Sequence, residues 1–521
     1  MTSGQSWARS FTVTDDDIDF LTGLLLDRET PLTTQALTAA LVEHRLQVEA
    51  EQLSEQYRGV RVFNPAESYE AGQRVLFPAL NEAVGLVTEV RAGNNPTYPP
   101  FRVMQVTLAG GPREFAMDYP NHPLCAGDGA MVGLPGSSDL TAADVLAVSS
   151  AELEAQVDEA LRSSPDLVNM VGRWFPRSLI LGVNEGYLNL AEAVLDISGG
   201  GPLETEQVLD EIGGLGSAPR ELQVFSLNHS LNNDDRFDEV GPAGKVFWFL
   251  KRLEPAEVAT VPPQLRHHPS EFEPDLLSPE MWALVDDIRD EWSDLEPRVS
   301  SGQAVHVNLI YPHRRSGTLP LNADMQQVFP TARRTPRIAI TLIDGQDGEA
   351  FPGWVVRQDR YVLGLTPIYR KHRLPVGVVL TVRPGDDAGT YVVDFNAHRP
   401  RTEYVPLITA KDGRMTFDYQ KRAIGAEYDD LMILGADDVA AVDALFQAAQ
   451  QPRRPLATIV HQLMLELSRS TPQGTVHAKT LYSATNVLRR TAPAPVLAAL
   501  VHSEEFEHVG NNHWRIRART S

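Results

Sequence analysis

At 521 residues the chain has room for about three to five domains, and 42 % hydrophobic with 22 % charged residues is the composition of a soluble globular protein, which excludes a disordered or fibrous chain. Its 69 acidic and 46 basic residues leave a net charge of −23, which opposes non-specific adhesion to phosphate or anionic membrane, so a nucleic-acid site has to be a local basic patch. The single Cys125 excludes an intramolecular disulfide and a zinc site built on several thiolates, and is read as a small buried apolar residue.

Residues 1–10 lack the basic start and apolar core of a signal peptide, and no run of about 18 uncharged apolar residues occurs, so a cytoplasmic protein with no membrane partner is expected. Thr14 followed by Asp15, Asp16 and Asp17 predicts a helix start, with Ile18, Leu21 and Leu25 as its apolar stripe. Thr30-Pro31-Leu32-Thr33-Thr34 then opens a second helical pattern through Leu37, Leu41, Leu46 and Leu53, giving a helical, partly winged-helix-like block at 11–58. From Val60 the period becomes strand-like, and short strands separated by Gly, Asn and Pro predict a small SH3-like β-barrel over 59–120. The Gly-rich stretch 127–138 reads as a linker, and a helix from Thr141 to Leu161 opens the next block, 139–255.

That block contains a unit found twice. Helical runs at 188–195, 204–212 and 217–231 precede Arg236-Phe237-Asp238-Glu239-Val240-Gly241, a Pro-Ala-Gly-Lys turn and Val246-Phe247-Trp248-Phe249-Leu250. Runs containing Ile459, Leu463 and Leu467, then 478–488 and 496–501, precede Glu505-Phe506-Glu507-His508-Val509-Gly510, Asn511-Asn512-His513 and Trp514-Arg515-Ile516. Three helices and a hairpin make a winged helix, so 139–255 is read as a helix plus a winged helix and 453–518 as a C-terminal winged helix. The opening Gly201-Pro202-Leu203-Glu204-Thr205 matches the one at Thr30, but no Trp hairpin follows the latter soon, so the first copy is counted incomplete.

Between the two, His267-His268 lie on a linker without the further ligands a metal needs. Ser278 caps a helix whose Trp282, Val285, Ile288 and Trp292 are expected in the core. The block 277–420 holds strands at 305–310, 337–342, 353–357, 361–365, 376–383 and 391–395. From Arg314 to Arg383 it carries eleven basic against five acidic residues, a net of +6 in a chain of −23, the distribution expected if one surface is kept for phosphate. Asp437-Asp438 reads as a helix N-cap and first turn rather than a metal site. The expected fold class is α+β and multidomain: winged-helix units plus small antiparallel β-barrels.

The pattern of an aliphatic helix, a Phe strand, Val-Gly and a Trp strand resembles the HARE-HTH winged helices seen in the delta subunit of bacterial RNA polymerase and in some chromatin and restriction proteins. The resemblance covers roughly a quarter of the chain. It implies association with transcription or DNA-processing machinery. Gly353-Trp354-Val355-Val356-Arg357, Arg360-Tyr361-Val362-Leu363-Gly364-Leu365, a short helix near Ile368 and Leu374-Pro375-Val376-Gly377 resemble the DNA-binding pseudobarrels of plant transcription factors and certain restriction enzymes. That likeness covers about sixty residues and implies strand and loop contacts to a major groove.

Catalysis has little to stand on. There is no Gly-x-x-x-x-Gly-Lys-Ser/Thr, no Gly-x-Ser-x-Gly and no His-Glu-x-x-His, and none of the six lysines has an acidic residue two positions before it. His306, His313 and His398 lie in or beside the barrel as candidate phosphate contacts. The expected nucleic-acid contacts are Arg314, Arg315, Arg333, Arg334, Arg357, Arg360, Arg370, Lys371 and Arg373, with Arg489, Arg490 and the wing residues Asn511, Asn512 and His513 in the last unit. The last of the third helices has almost no residue that reads base edges, so these units are expected to bind protein, or to touch DNA through the wing and Arg489-Arg490, more than by helix insertion. The sequence therefore points to a non-enzymatic DNA-associated protein without cofactor or metal. Two readings stand beside it: an acidic scaffold whose units bind protein, RNA polymerase among the candidates, and an enzyme with an unrecognised site in the middle barrel.

Overall fold

A computed structural model describes residues 3–122, 140–300, 302–332, 335–432, 435–450, 454–471 and 473–517. Cys125, the expected 127–138 linker, Arg333 and Arg334 lie outside the described residues. The chain forms two compact units, Met1–Leu181 with Ser217–Phe225, and Gly182–Gly216 with Ser226–Ser521.

In the first unit, α1 (Ser3–Ser10) and α2 (Asp15–Arg28) lead to β1 (Leu32–Thr33) and α3 (Thr34–Gln56). The start of α2 is fixed by Thr14, whose N and Oγ1 both donate to Asp17 Oδ2 at 2.7 and 2.9 Å, while Arg45 Nε donates to the other oxygen at 2.7 Å. Five strands follow, β2 (Val60–Val62), β3 (Arg74–Phe77), β4 (Ala83–Ala92), β5 (Arg102–Leu108) and β6 (Gly111–Met117), hydrogen-bonded in that order around Tyr69, Val75, Phe77, Met104 and Val106. Then α4 (Ala142–Ser163) packs on α3 and α1, and β7 (Leu167–Met170) and β8 (Arg173–Pro176) return so that β1, β8 and β7 share a sheet. The first copy therefore does have its Trp hairpin, displaced along the chain by the intervening five-stranded sheet. The Thr141 helix belongs with it rather than with the block that follows.

The second unit opens on the same order: α5 (Glu185–Ile197), β9 (Leu203–Glu204), α6 (Thr205–Glu211), α7 (Arg220–Asn232, joining this unit from Ser226), β10 (Phe237–Glu239) and β11 (Phe247–Leu250), with the sheet β10-β11-β9. After α8 (Ala256–Ala259) and α9 (Pro279–Ile288) comes the middle block. It contains β12 (Val305–Asn308), α10 (Tyr311–Ser316), β13 (Thr318–Pro320), α11 (Met325–Val328), β14 (Arg337–Asp344), β15 (Ala350–Val356), β16 (Tyr361–Leu363), α12 (Thr366–Lys371), β17 (Val379–Pro384) and β18 (Thr390–Phe395). Its seven strands form a nearly closed, barrel-like sheet in the order β12-β17-β18-β14-β15-β16-β13, and the six-residue α10 joins the two edge strands. Alternation places Ile338, Ile340 and Leu342 inside with Val355, Val362, Leu380 and Val393. Gly353 is required there, because a Cβ on it would lie 2.6 Å from Leu342 Cγ.

The chain continues into a long hairpin, β19 (Ala397–Lys411) and β20 (Arg414–Ala426), edged by β21 (Gly435–Ala436). Past α13 (Val439–Gln450) the helix–strand–helix–helix–hairpin order appears a third time: α14 (Leu456–Ser470), β22 (Thr475–His477), α15 (Ala478–Leu488), α16 (Pro493–His502), β23 (Phe506–Gly510) and β24 (His513–Ile516), with the sheet β22-β24-β23. Among the described residues, no helix is long and apolar enough to cross a membrane.

The three copies agree residue by residue. Leu32 pairs with Trp174, Leu203 with Trp248 and Val476 with Trp514, and the three tryptophans are buried. Two residues past the paired aliphatic, the next helix begins with Thr34, Thr205 or Ala478. Trp174 Nε1 donates to Thr34 Oγ1 at 3.0 Å, and Trp248 Nε1 lies 3.2 Å from Thr205 Oγ1 and 2.9 Å from Asn228 Oδ1. Opposite Ala478 there is no hydroxyl, and Trp514 Nε1 is buried without a partner.

Candidate nucleic-acid interface

Most of the cations expected to face phosphate are engaged by the protein's own carbonyls and carboxylates. Arg314 Nε donates to Leu374 O at 2.7 Å with its guanidinium 5.5 Å from the centroid of the Tyr369 ring, and burial pulls its pKa down. Arg357 donates to Pro330 O and Phe329 O, both at 2.8 Å, and to Gln326 O at 3.1 Å. Such an arginine stitches three carbonyls of one loop and has little left to offer a ligand. Arg315 pairs with Asp443 at 2.6 Å, and Arg360 donates to Glu291 O at 2.6 Å while lying over the Trp292 ring. Trp292 is stacked on its other partner, His267, at 4.5 Å, and Trp282, expected in the core, is partly exposed.

Arg490 needs a larger correction. It is fully buried, with Nη2 2.6 Å from Asp290 and 2.5 Å from Glu291, and Nη1 2.8 Å from Asn486 Oδ1. His313 Nε2 meets Glu291 at 3.0 Å and its Nδ1 meets Thr318 Oγ1 at 2.8 Å, so this histidine, too, is internal. Tyr482 donates its hydroxyl to Asp290. Burial pushes Asp290 up; at Glu291 burial acts the same way but Arg490 and His313 outweigh it and hold the carboxyl below its ordinary range. No phosphate can reach this arginine. It ties the loop after α9 and α10 to α15.

Lys371 is likewise occupied. Its Nζ reaches Asp344 at 3.4 Å, Glu349 at 2.6 Å and Asp347, and the hydrogen bonds it donates to these carboxylates, Asp347 first, raise its pKa. Asp344, Asp347 and His372 offer ligand atoms within 4.8 Å of one another, a set able to hold a metal, but the ammonium of Lys371 stands where a cation would go. In the last unit, Arg489 donates to Arg454 O at 2.9 Å and lines a cavity of about 1060 Å³ with His268, Phe272, Arg454, Leu456 and His502. Asn511 is exposed at the tip of its hairpin, Asn512 N donates to Glu280 Oε1 of α9 at 3.0 Å, and His513 Nδ1 meets Asn511 O. α16 is buried along most of its length, from Pro493 to Ala498 and at Leu500, and packs against α9. A helix so covered cannot enter a groove.

Exposed Arg370 and Arg373 remain, at the end of α12, with no ion pair among the described residues. His372 between them lies 5.0 Å from the Phe395 ring, which sets this corner beside the root of the β19–β20 hairpin. Sequence reasoning misses that hairpin. Asp412-Gly413, both at positive φ, form the tight turn between its strands, and this dipeptide is the signal that could have found it. From 397 to 426 it carries six basic against three acidic residues. Arg399, Arg401 and Arg414 are exposed and, among the described residues, make no ion pair; Lys421 lies 5.3 Å from the centroid of Tyr404. Toward its tip, Leu407, Ile408, Met415 and Phe417 are buried, and Ile408, Met415 and Phe417 enter the core shared with α14, α15 and α16.

The chain is thus a mixed α+β protein in which one helix–strand–helix–helix–hairpin order occurs three times and a nearly closed, barrel-like seven-stranded sheet once among the described residues. No family model, no curated protein and no solved structure matches it.

Proposed function

We propose that the protein is a non-enzymatic, DNA-associated factor of transcription or DNA transactions, that its three repeated units are winged helices of the HARE-HTH kind, and that its seven-stranded sheet is a DNA-binding pseudobarrel. What supports the reading most is the run of cations that make no ion pair among the described residues, from Arg370 and Arg373 to Arg399, Arg401, Arg414 and Lys421, on a chain of net charge −23. Cations that protein carboxylates leave free are the ones able to displace counterions from phosphate. Arg314, Arg357 and Arg490, engaged internally, hold the scaffold instead, and Lys371 is held at the surface by its carboxylates.

The test is fluorescence anisotropy of labelled duplex DNA with the whole protein across a salt series. Replacing Arg370, Arg373, Arg399 and Arg401 with Ala should weaken binding on every sequence and reduce the log–log salt slope by about 0.9 for each phosphate no longer neutralised. Equal affinity and slope for wild type and variant at low salt would remove the DNA reading.

The scaffold reading has its own support. α16 is covered, and α5 exposes Leu190 and Ile197, at 50 % and 89 %, along one stripe with Ala193. A stoichiometric complex with a protein such as RNA polymerase, unaffected by the arginine replacements, is the outcome that favours it.

A further inference from the structure

We propose that the exposed stretch of one face of the β19–β20 hairpin, around Tyr404 and Tyr419, is a stacking platform for single-stranded DNA; this rests on the nucleic-acid reading above and names the form of DNA bound there. The register pairs Tyr404 with Lys421, Thr402 with Ala423 and Pro406 with Tyr419, so all six side chains lie on one face of the ribbon. Tyr404 is 67 % and Tyr419 50 % exposed, among the most exposed aromatics of the chain. As diagonal neighbours across an antiparallel pair, their Cβ atoms are about 7 Å apart, within reach of successive unstacked bases. Lys421 over the Tyr404 ring adds a cation to the same surface.

Charge decides between this occupant and an apolar one. Arg399 and Arg401 lie near the root of the ribbon and Arg414 near its tip, all exposed and without ion pairs among the described residues; by alternation Arg401, across from Ile424, and Arg414, across from Lys411, project from the opposite face, and Lys421 is the cation on the tyrosines' own face. Of the acidic groups, Asp418 is held by Lys411 at 3.2 Å, and Glu403 stands across the ribbon from Arg422, whose ion pair is with Asp437. Asp412, at the turn, is the remaining one. Two rings beside Lys421, on a ribbon with six basic against three acidic residues, suit a strand that presents base faces and phosphates together, whereas a duplex keeps its base faces sealed. Thr402, Pro406 and Ala423 supply almost no group for reading base edges, so binding should tolerate any sequence.

The experiment uses the whole protein, a labelled oligothymidine of about 12 nucleotides, and duplex and RNA competitors. Replacing each ring with Ala should weaken single-strand binding by about 5- to 150-fold, the range for one stacked base. Tyr404→Trp with Tyr419→Trp should retain it, and both positions are exposed enough for the variants to fold. Unchanged binding in Tyr404→Ala with Tyr419→Ala, or duplex or RNA competing as well as the single strand, overturns the platform. If that double variant binds duplex normally, the DNA reading survives while the platform falls with an unaffected oligothymidine affinity; no binding of any oligonucleotide removes both.

Discussion

Replacing Thr34, Thr205 and Ala478, the equivalent residues of the three repeats, should produce effects in a set order. Thr34→Val keeps the shape of the side chain but removes the Oγ1 that accepts from Trp174 Nε1 at 3.0 Å and donates to Asp158 at 3.2 Å. Trp174 is 1 % exposed, so its N–H has no water to turn to, and an unsatisfied buried donor costs about 1–3 kcal/mol. Thr205→Val should cost less, about 0.5–1.5 kcal/mol, because Trp248 keeps Asn228 Oδ1 at 2.9 Å. Ala478→Ser should give Trp514 a partner and gain up to about 1 kcal/mol. The chain has two compact units and global melts need not be two-state, so the assay is hydrogen exchange of peptides covering 167–176, 237–250 and 506–516. Each 1.4 kcal/mol is tenfold in protection. Equal protection of residues 167–176 in wild type and Thr34→Val would refute the reasoning, as would Ala478→Ser loosening the last hairpin.

Other consequences are as direct. Arg490→Met takes the guanidinium from two buried carboxylates, leaving Asp290 with Tyr482 and Glu291 with His313, and should destabilise by about 3–5 kcal/mol, read as a lower urea midpoint; an unchanged midpoint would mean that the carboxylates are protonated or hydrated in the folded protein. Burial pushes His267 down to about 4, below the ordinary value of about 6.5, so the unfolded chain takes up a proton in that window while the folded one does not. Stability should therefore fall as pH drops from about 6.5 toward 4, and His267→Phe, which keeps a ring against Trp292, should flatten that fall in denaturation curves recorded across the window. Lys371→Ala should free Asp344, Asp347 and His372 to bind Mn²⁺, giving a saturable calorimetric titration that wild type lacks; matching titrations would show that the ammonium does not occupy the site.

The strands of the middle block were legible because alternation such as Ile338, Ile340 and Leu342 is a local property, and the helix starts at Thr14 and Ser278 because a cap and its carboxylate lie within four residues. The long hairpin was hidden because its buried residues fall on both faces, Val405 and Leu407 on one and Ile408 and Phe417 on the other, while two tyrosines are exposed, which breaks the alternation that marks a half-buried strand. The arginines misled for another reason: whether a cation is free depends on carbonyls and carboxylates distant in sequence, as Arg490 with Asp290 and Arg357 with Pro330 show. The first repeat could be opened from Pro31-Leu32 but not closed, since its partner strand lies some 140 residues away at Trp174.

That separation bears on the order in which the repeats form. In the last copy 4 residues stand between the second and third helices, Leu488 to Pro493; in the first, 85 stand between Gln56 and Ala142. Loop closure grows by about 0.6 kcal/mol per doubling, so the first copy carries about 2.6 kcal/mol more closure entropy unless the five-stranded sheet folds beforehand and draws its ends together. Although it leaves the ribosome first, the amino-terminal repeat should then be the last of the three to become native.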